Sequence, residues 1–152
     1  MALAKHKTDV VANKGVALEI YSAANLPLGI RFFVLGTDSE EWEKINRKQD
    51  KARLEKQKRT RGVYLATSDE TRLNGTETLA GLTTGWEEDV TNEKGEVIGT
   101  RLEIELEEGE FVPFSKEAVR TIYGDIGYSF IREQVDAFIG DRRNFLPTAS
   151  RS

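Results

Sequence analysis

From Gly15 onward, apolar and polar positions alternate. Val16, Leu18 and Ile20 fall between Ala17, Glu19 and Tyr21, the period-two pattern of a strand with one buried face. Asn25-Leu26-Pro27-Leu28-Gly29 carries turn chemistry, and Ile30, Phe32 and Val34 then alternate with Arg31, Phe33 and Leu35. Two strands joined this closely predict an antiparallel hairpin whose apolar face needs a cover.

The period changes at Thr37. Asp38 stands three residues before Glu41, the spacing of a capping box, and Trp42 and Ile45 follow at helical spacing. No Gly or Pro intervenes before Gly62, so 37–61 is predicted to be one long helix. Past Ile45 the apolar stripe thins to Ala52 and Leu54 among Lys44, Arg47, Lys48, Lys51, Arg53, Lys56, Lys58, Arg59 and Arg61. A helix apolar at its base and charged all round further out cannot be buried for its whole length. The pattern predicts a rod rooted in the core and projecting from it.

Downstream the signals are uneven. Val63–Asn74 predicts a short helix at most, and Thr76–Thr84 a helical turn or two, with Leu79, Leu82 and Thr83 on one side and Trp86 just past Gly85. Thr91–Gly95 reads as a turn. Leu102, Ile104 and Leu106 then alternate with Arg101, Glu103, Glu105 and Glu107, predicting an acidic strand. Ser115 is placed to cap a helix running to Tyr123, which Gly124 to Gly127 break. Tyr128, Ile131, Val135, Phe138 and Ile139 mark an amphipathic helix that Gly140 can close. The ends are polar, so 1–14 is expected as a flexible arm and 147–152 as a flexible tail, although Phe145 and Leu146 together are unusual for a solvated end. The fold class expected is α+β: one domain over 15–146, with a small antiparallel sheet (the hairpin plus the acidic strand) packed with helices, and the basic helix 38–61 projecting.

Charge sharpens this picture. The 152 residues carry a net charge of -4, yet 44–61 hold nine basic and two acidic residues while 87–110 hold ten acidic and two basic. The chain has no cysteine, which excludes a disulfide framework, a thiol nucleophile and a cysteine metal site. His6 is the single histidine and lies in the expected arm, so no triad or held general base can be assembled around it. Gly81 to Gly85 lacks the lysine of a phosphate-binding loop. Glu103, Glu105 and Glu107 have the alternation of magnesium ligands on one strand face, but interleaved with Leu102, Ile104 and Leu106 they read better as its wet side. Trp42 and Trp86 read as core anchors. No stretch has the length of a membrane span and no cleavable apolar segment opens the chain, so a cytoplasmic protein is expected.

The basic helix could bind phosphates, but the whole chain is acidic and no aromatic residue stands between Lys44 and Arg61 for base stacking. A protein-binding role fits it better: Lys and Arg stems cover apolar surface while their heads meet an acidic partner or the Glu-rich strand of a sister subunit. The candidate partner-binding residues are therefore Lys44, Arg47, Lys48, Lys51, Arg53 and Lys56, with a groove lined by Tyr128, Ile131 and Phe138 or a hook formed by Phe145 and Leu146.

Several stretches share an order with a known family: Phe33-Val34-Leu35-Gly36-Thr37-Asp38-Ser39 entering the basic helix, Thr84-Gly85-Trp86, Ile131 through Ile139, and Asp141-Arg142-Arg143-Asn144-Phe145-Leu146. In this order the chain resembles the tail assembly chaperones of long-tailed bacteriophages from about Val16 to Leu146. The resemblance implies a non-enzymatic assembly factor without cofactor or metal. Such a factor binds the tape measure protein in the host cytoplasm, self-associates along it, and leaves as tail tube protein polymerises, so that it is missing from the mature virion. It also implies, for many such families, a longer frameshifted product. Two other readings stand beside it: a structural minor tail or connector protein retained in the virion, and a small nucleic-acid-binding regulatory protein.

Overall fold

The computed structural model describes residues 2–60 and 68–147. Apart from Pro147 the expected tail lies outside the described residues, as do Arg61 and 62–67. The fold is α+β. Helices α1 (Asp9–Lys14), α2 (Glu40–Thr60), α3 (Ser68–Leu82), α4 (Lys116–Gly124) and α5 (Ser129–Ile139) accompany strands β1 (Val16–Tyr21), β2 (Pro27–Val34), β3 (Thr83–Thr91), β4 (Val97–Arg101), β5 (Glu103–Glu107) and β6 (Glu110–Pro113).

The expected hairpin is present, with Val16 opposite Val34 and Ile20 opposite Ile30. Its sheet is antiparallel in the order β1-β2-β3-β4, and β5 pairs with β6 in a second sheet of two strands. The third strand of the main sheet is thus β3, and the acidic strand lies apart from the hairpin. The expected strand beginning at Arg101 is divided. Arg101 closes β4, Leu102 is 72% exposed at a bend, and only from Glu103 does the alternation hold, with Ile104 buried.

One core joins the layers. Ile20, Phe32, Val34 and Trp86 on the inner face of the sheet meet Val119, Ile122 and Tyr123 of α4 and Ile131, Val135 and Ile139 of α5. Trp86 is its centre: its ring lies 5.5 Å from Phe32 and 5.2 Å, edge-on, from Phe114. The indole N–H donates to the Val112 carbonyl at 3.1 Å, which ties the second sheet to the first. Both helices behave as their patterns predict. Ser115 Oγ accepts from the Ala118 amide, and the α5 stripe recurs every four residues and ends at Gly140.

Helix α3 is longer than its sequence suggests. Asn74-Gly75-Thr76 is a poor helical run, but the Arg132 guanidinium lies against it, donating to Thr76 Oγ1 at 2.7 Å and to the Arg72 carbonyl at 3.2 Å. Gly81 lets the base of α2 come close, since a Cβ there would sit 2.6 Å from Ile45 Cδ1.

The N-terminal arm is also corrected. Residues 3–6 form a 3-10 turn and Asp9–Lys14 a helix, with Ala12 buried against Gly36. The cap of α2 is Ser39, one residue after the expected Asp38: its hydroxyl accepts from the Trp42 amide at 3.2 Å and donates to the Gly36 carbonyl. Asp38 instead joins the two ends of the chain. It accepts from Thr8 Oγ1 at 2.6 Å and from Arg142 Nε at 2.9 Å, and these bonds hold its carboxyl below the ordinary range. A carboxylate depressed on folding stabilises the fold above its unfolded pKa of about 3.9, and that contribution disappears as pH falls through the lower folded value. Asp38→Asn is therefore expected to flatten the acid limb of a stability–pH profile from urea melts. An unchanged limb would remove Asp38 from the account.

Candidate partner-binding surfaces

Three surfaces emerge, and they divide the expected residues differently from the sequence. The first is the outer part of α2. Its base is held by Ile45 against Gly81 and by Gln49, whose amide donates to the Asn74 carbonyl and Thr78 Oγ1. From Asp50 to Lys56 every side chain is exposed, Ala52 and Leu54 included. The ion pairs of α2 among the described residues, Arg47–Glu43 and Arg53–Asp50, are internal to the helix. The projecting rod expected from the sequence is thus the form it takes, with all six of its candidate basic residues exposed.

Between α2 and the pair α3 and α4 runs a cleft of about 570 Å³. Lys44, Lys48, Arg53 and Lys56 line one wall with Glu41 and Asp50, Lys116 and Arg120 the other with Glu77, and Ile45 and Ala52 lie among them. Arg47 faces a separate cleft beside Trp42, and Lys51 lines neither. Lys116 is itself structural. Its ammonium donates to the carbonyls of Ala80, Gly81 and Thr83, closing the carbonyl end of α3. Burial lowers its pKa, and the nearby charge of Glu41 opposes that shift. Arg120 pairs with Glu77 at 3.0 Å. No sequence pattern announced Lys116 and Arg120 as neighbours of α2, since the α4 stripe records only the side facing the core.

The acidic block is divided by the fold. Arg31 gathers Glu87 at 2.6 Å, Asp89 at 2.6 Å and Glu19 at 3.4 Å, and the first two raise the guanidinium pKa further. Glu88 pairs with Arg101, whose guanidinium lies 4.3 Å over the Phe111 ring. Glu93 and Glu96 lie in the β3–β4 turn, and the other five acids belong to the β5–β6 hairpin, where Glu103, Glu105, Glu107, Glu108 and Glu110 are exposed. Among the described residues no group of three or more acidic or histidine side chains is disposed to hold a metal ion.

The expected apolar groove and hook are corrected. Ile131 is buried, and Tyr128 and Phe138 are half-buried against the same core. Phe145 is 2% exposed, packed edge-on to Phe138 at 5.7 Å and against Gly36. A 3-10 turn opened by Asp141 carries it inward, while Arg142 clasps Asp38, and Leu146 is half-buried behind it. The apolar pair near the end of the chain is a closure of the fold.

Exposed apolar side chains lie elsewhere. The pairing of Ile30 with Glu88 brings the β1–β2 and β3–β4 turns to one end of the sheet. Leu26 is 63%, Val97 59% and Ile98 65% exposed there, with Leu28 and Tyr21 beside them. The sequence carries a signal for this: Leu26 and Leu28 flank Pro27 at the start of β2, and Val97-Ile98 lies between Gly95 and Gly99, where nothing local buries them.

No helix among the described residues is long and apolar enough to cross a membrane. Comparison of the chain with family models, with curated proteins and with solved structures finds no significant match. The functional reading therefore rests on these surfaces and on the order of sequence stretches described above.

Proposed function

We propose that this chain is a non-enzymatic phage tail assembly chaperone that binds and solubilises the tape measure protein in the host cytoplasm, helps recruit tail tube protein, and is left out of the mature virion. The observation that carries the reading is the presence on one chain of an apolar sheet end and a cationic helix whose side chains are exposed from Asp50 to Lys56. A tape measure chain exposes apolar helical faces before the tube encloses them, and faces of that size associate nonspecifically. Leu26, Leu28, Val97 and Ile98 offer them cover, and the lysines and arginines of α2 orient acidic segments. Release calls for modest affinity per subunit, with strength supplied by many subunits on one partner. Co-expression tests this. Tape measure protein should remain soluble only when made together with this chain, and equal solubility without it would contradict the proposal.

A further inference from the structure

After folding, part of each charge block stays exposed and outside any ion pair, on two separate surfaces. Among the described residues, Lys44 and Lys48 make no ion pair, and neither do Glu103, Glu105, Glu107, Glu108 and Glu110. On β5–β6 the register sets Glu105 opposite Phe111 and Glu103 opposite Pro113, on the side away from buried Ile104. That side is an acidic plate with the Phe111 ring, 43% exposed and capped on one face by the Arg101 guanidinium, at its middle. The cleft beside α2 is net cationic around Ile45 and Ala52: six basic side chains line it against Glu41, Asp50 and Glu77.

We infer that the acidic face of the β5–β6 hairpin of one copy docks into the basic cleft beside α2 of the next. Phe111 supplies the apolar anchor, facing Ile45 and Ala52, and the glutamates meet Lys44, Lys48 and Arg53. A second copy suits this cleft better than a nucleic acid, because the chain's net charge of -4 repels a polyanion while the hairpin arrives with acids and an aromatic ring already matched to the cleft. The two patches are different, so the contact is head-to-tail. Each added copy leaves one cleft and one hairpin free, and the array extends or closes into a ring. This deepens the proposed function by supplying its many-subunit grip. Its test uses the chain alone, so its failure and a failure to bind tape measure protein are separate results.

Sedimentation velocity of the full chain provides that test. Assemblies larger than a monomer are expected at about 0.1 M salt and should dissociate at about 1 M, where the screening length falls from about 10 Å to about 3 Å. Two triple variants then separate the halves of the contact: Lys44→Gln, Lys48→Gln, Arg53→Gln in one chain, and Glu103→Gln, Glu105→Gln, Glu107→Gln in the other. All six positions are exposed, and a glutamine in place of Glu105 can still accept the Gly109 amide through its side-chain carbonyl. Each variant alone should associate at least about tenfold more weakly than the parent and sediment as a monomer where the parent assembles. Mixed in equal amounts they should form a one-to-one dimer and stop there, since each retains one half of the contact. A parent that is monomeric in both salts, a variant that assembles like the parent, or a mixture that stays monomeric would overturn the inference.

Discussion

Replacing Leu26, Val97 and Ile98 together with serine is expected to abolish capture of the tape measure protein while leaving the fold intact. All three stand at one end of the main sheet and are more than half exposed, so the monomer loses almost no burial when they change. Surface changes of this kind usually stay within about 0.5 kcal/mol of the parent stability. In the complex the balance is different. Covering an apolar side chain of this size contributes about 1.5–3 kcal/mol, so three of them, even partly covered, account for about 4 kcal/mol, or about a thousandfold in affinity. The readout is soluble tape measure protein retained by the triple variant, beside a thermal melt of the variant alone. Capture at the parent level would move the apolar contact away from the sheet end.

The second large effect falls on stability. Trp86→Ala removes the side chain at the junction of the two sheets, together with the indole N–H bond to Val112. A buried tryptophan truncated to alanine costs about 3–5 kcal/mol, a large share of the roughly 5–15 kcal/mol typical of a domain. For a chain of this length the melting temperature should fall by about 12 °C. Trp86→Phe keeps most of the packing and orphans the Val112 carbonyl, so it should cost about 1–3 kcal/mol. Equilibrium urea melts of the two variants decide it. A loss under about 1 kcal/mol for alanine would mean that the core is not built on this residue.

What could be read in advance follows from how local each signal is. The β1–β2 hairpin, α4 and α5 announce themselves because each element's own residues carry the period that buries it. The long basic helix is legible for the same reason, down to its exposed outer half. Strand β3 is not. It carries Glu87, Glu88 and Asp89 in succession, and its place beside β2 depends on Arg31 and Arg101, which come from two other strands. The first half of α3 is hidden likewise, since Gly75 and Thr76 are tolerated through Arg132, which lies far away in sequence. Phe145 looks like a free hook until Gly36 and Phe138 are seen to receive it. In the candidate surfaces, the six basic residues of α2 were visible as a charge run, while the apolar sheet end required the strand register to bring two separate turns together.

The most direct measurement follows the chain itself through assembly, by quantitative mass spectrometry of tape measure complexes taken from the cytoplasm and of purified finished particles. The account predicts many copies per tape measure protein in the first sample and none in the second. Stoichiometric retention of the chain in finished particles, or its absence from the cytoplasmic complexes, would contradict it.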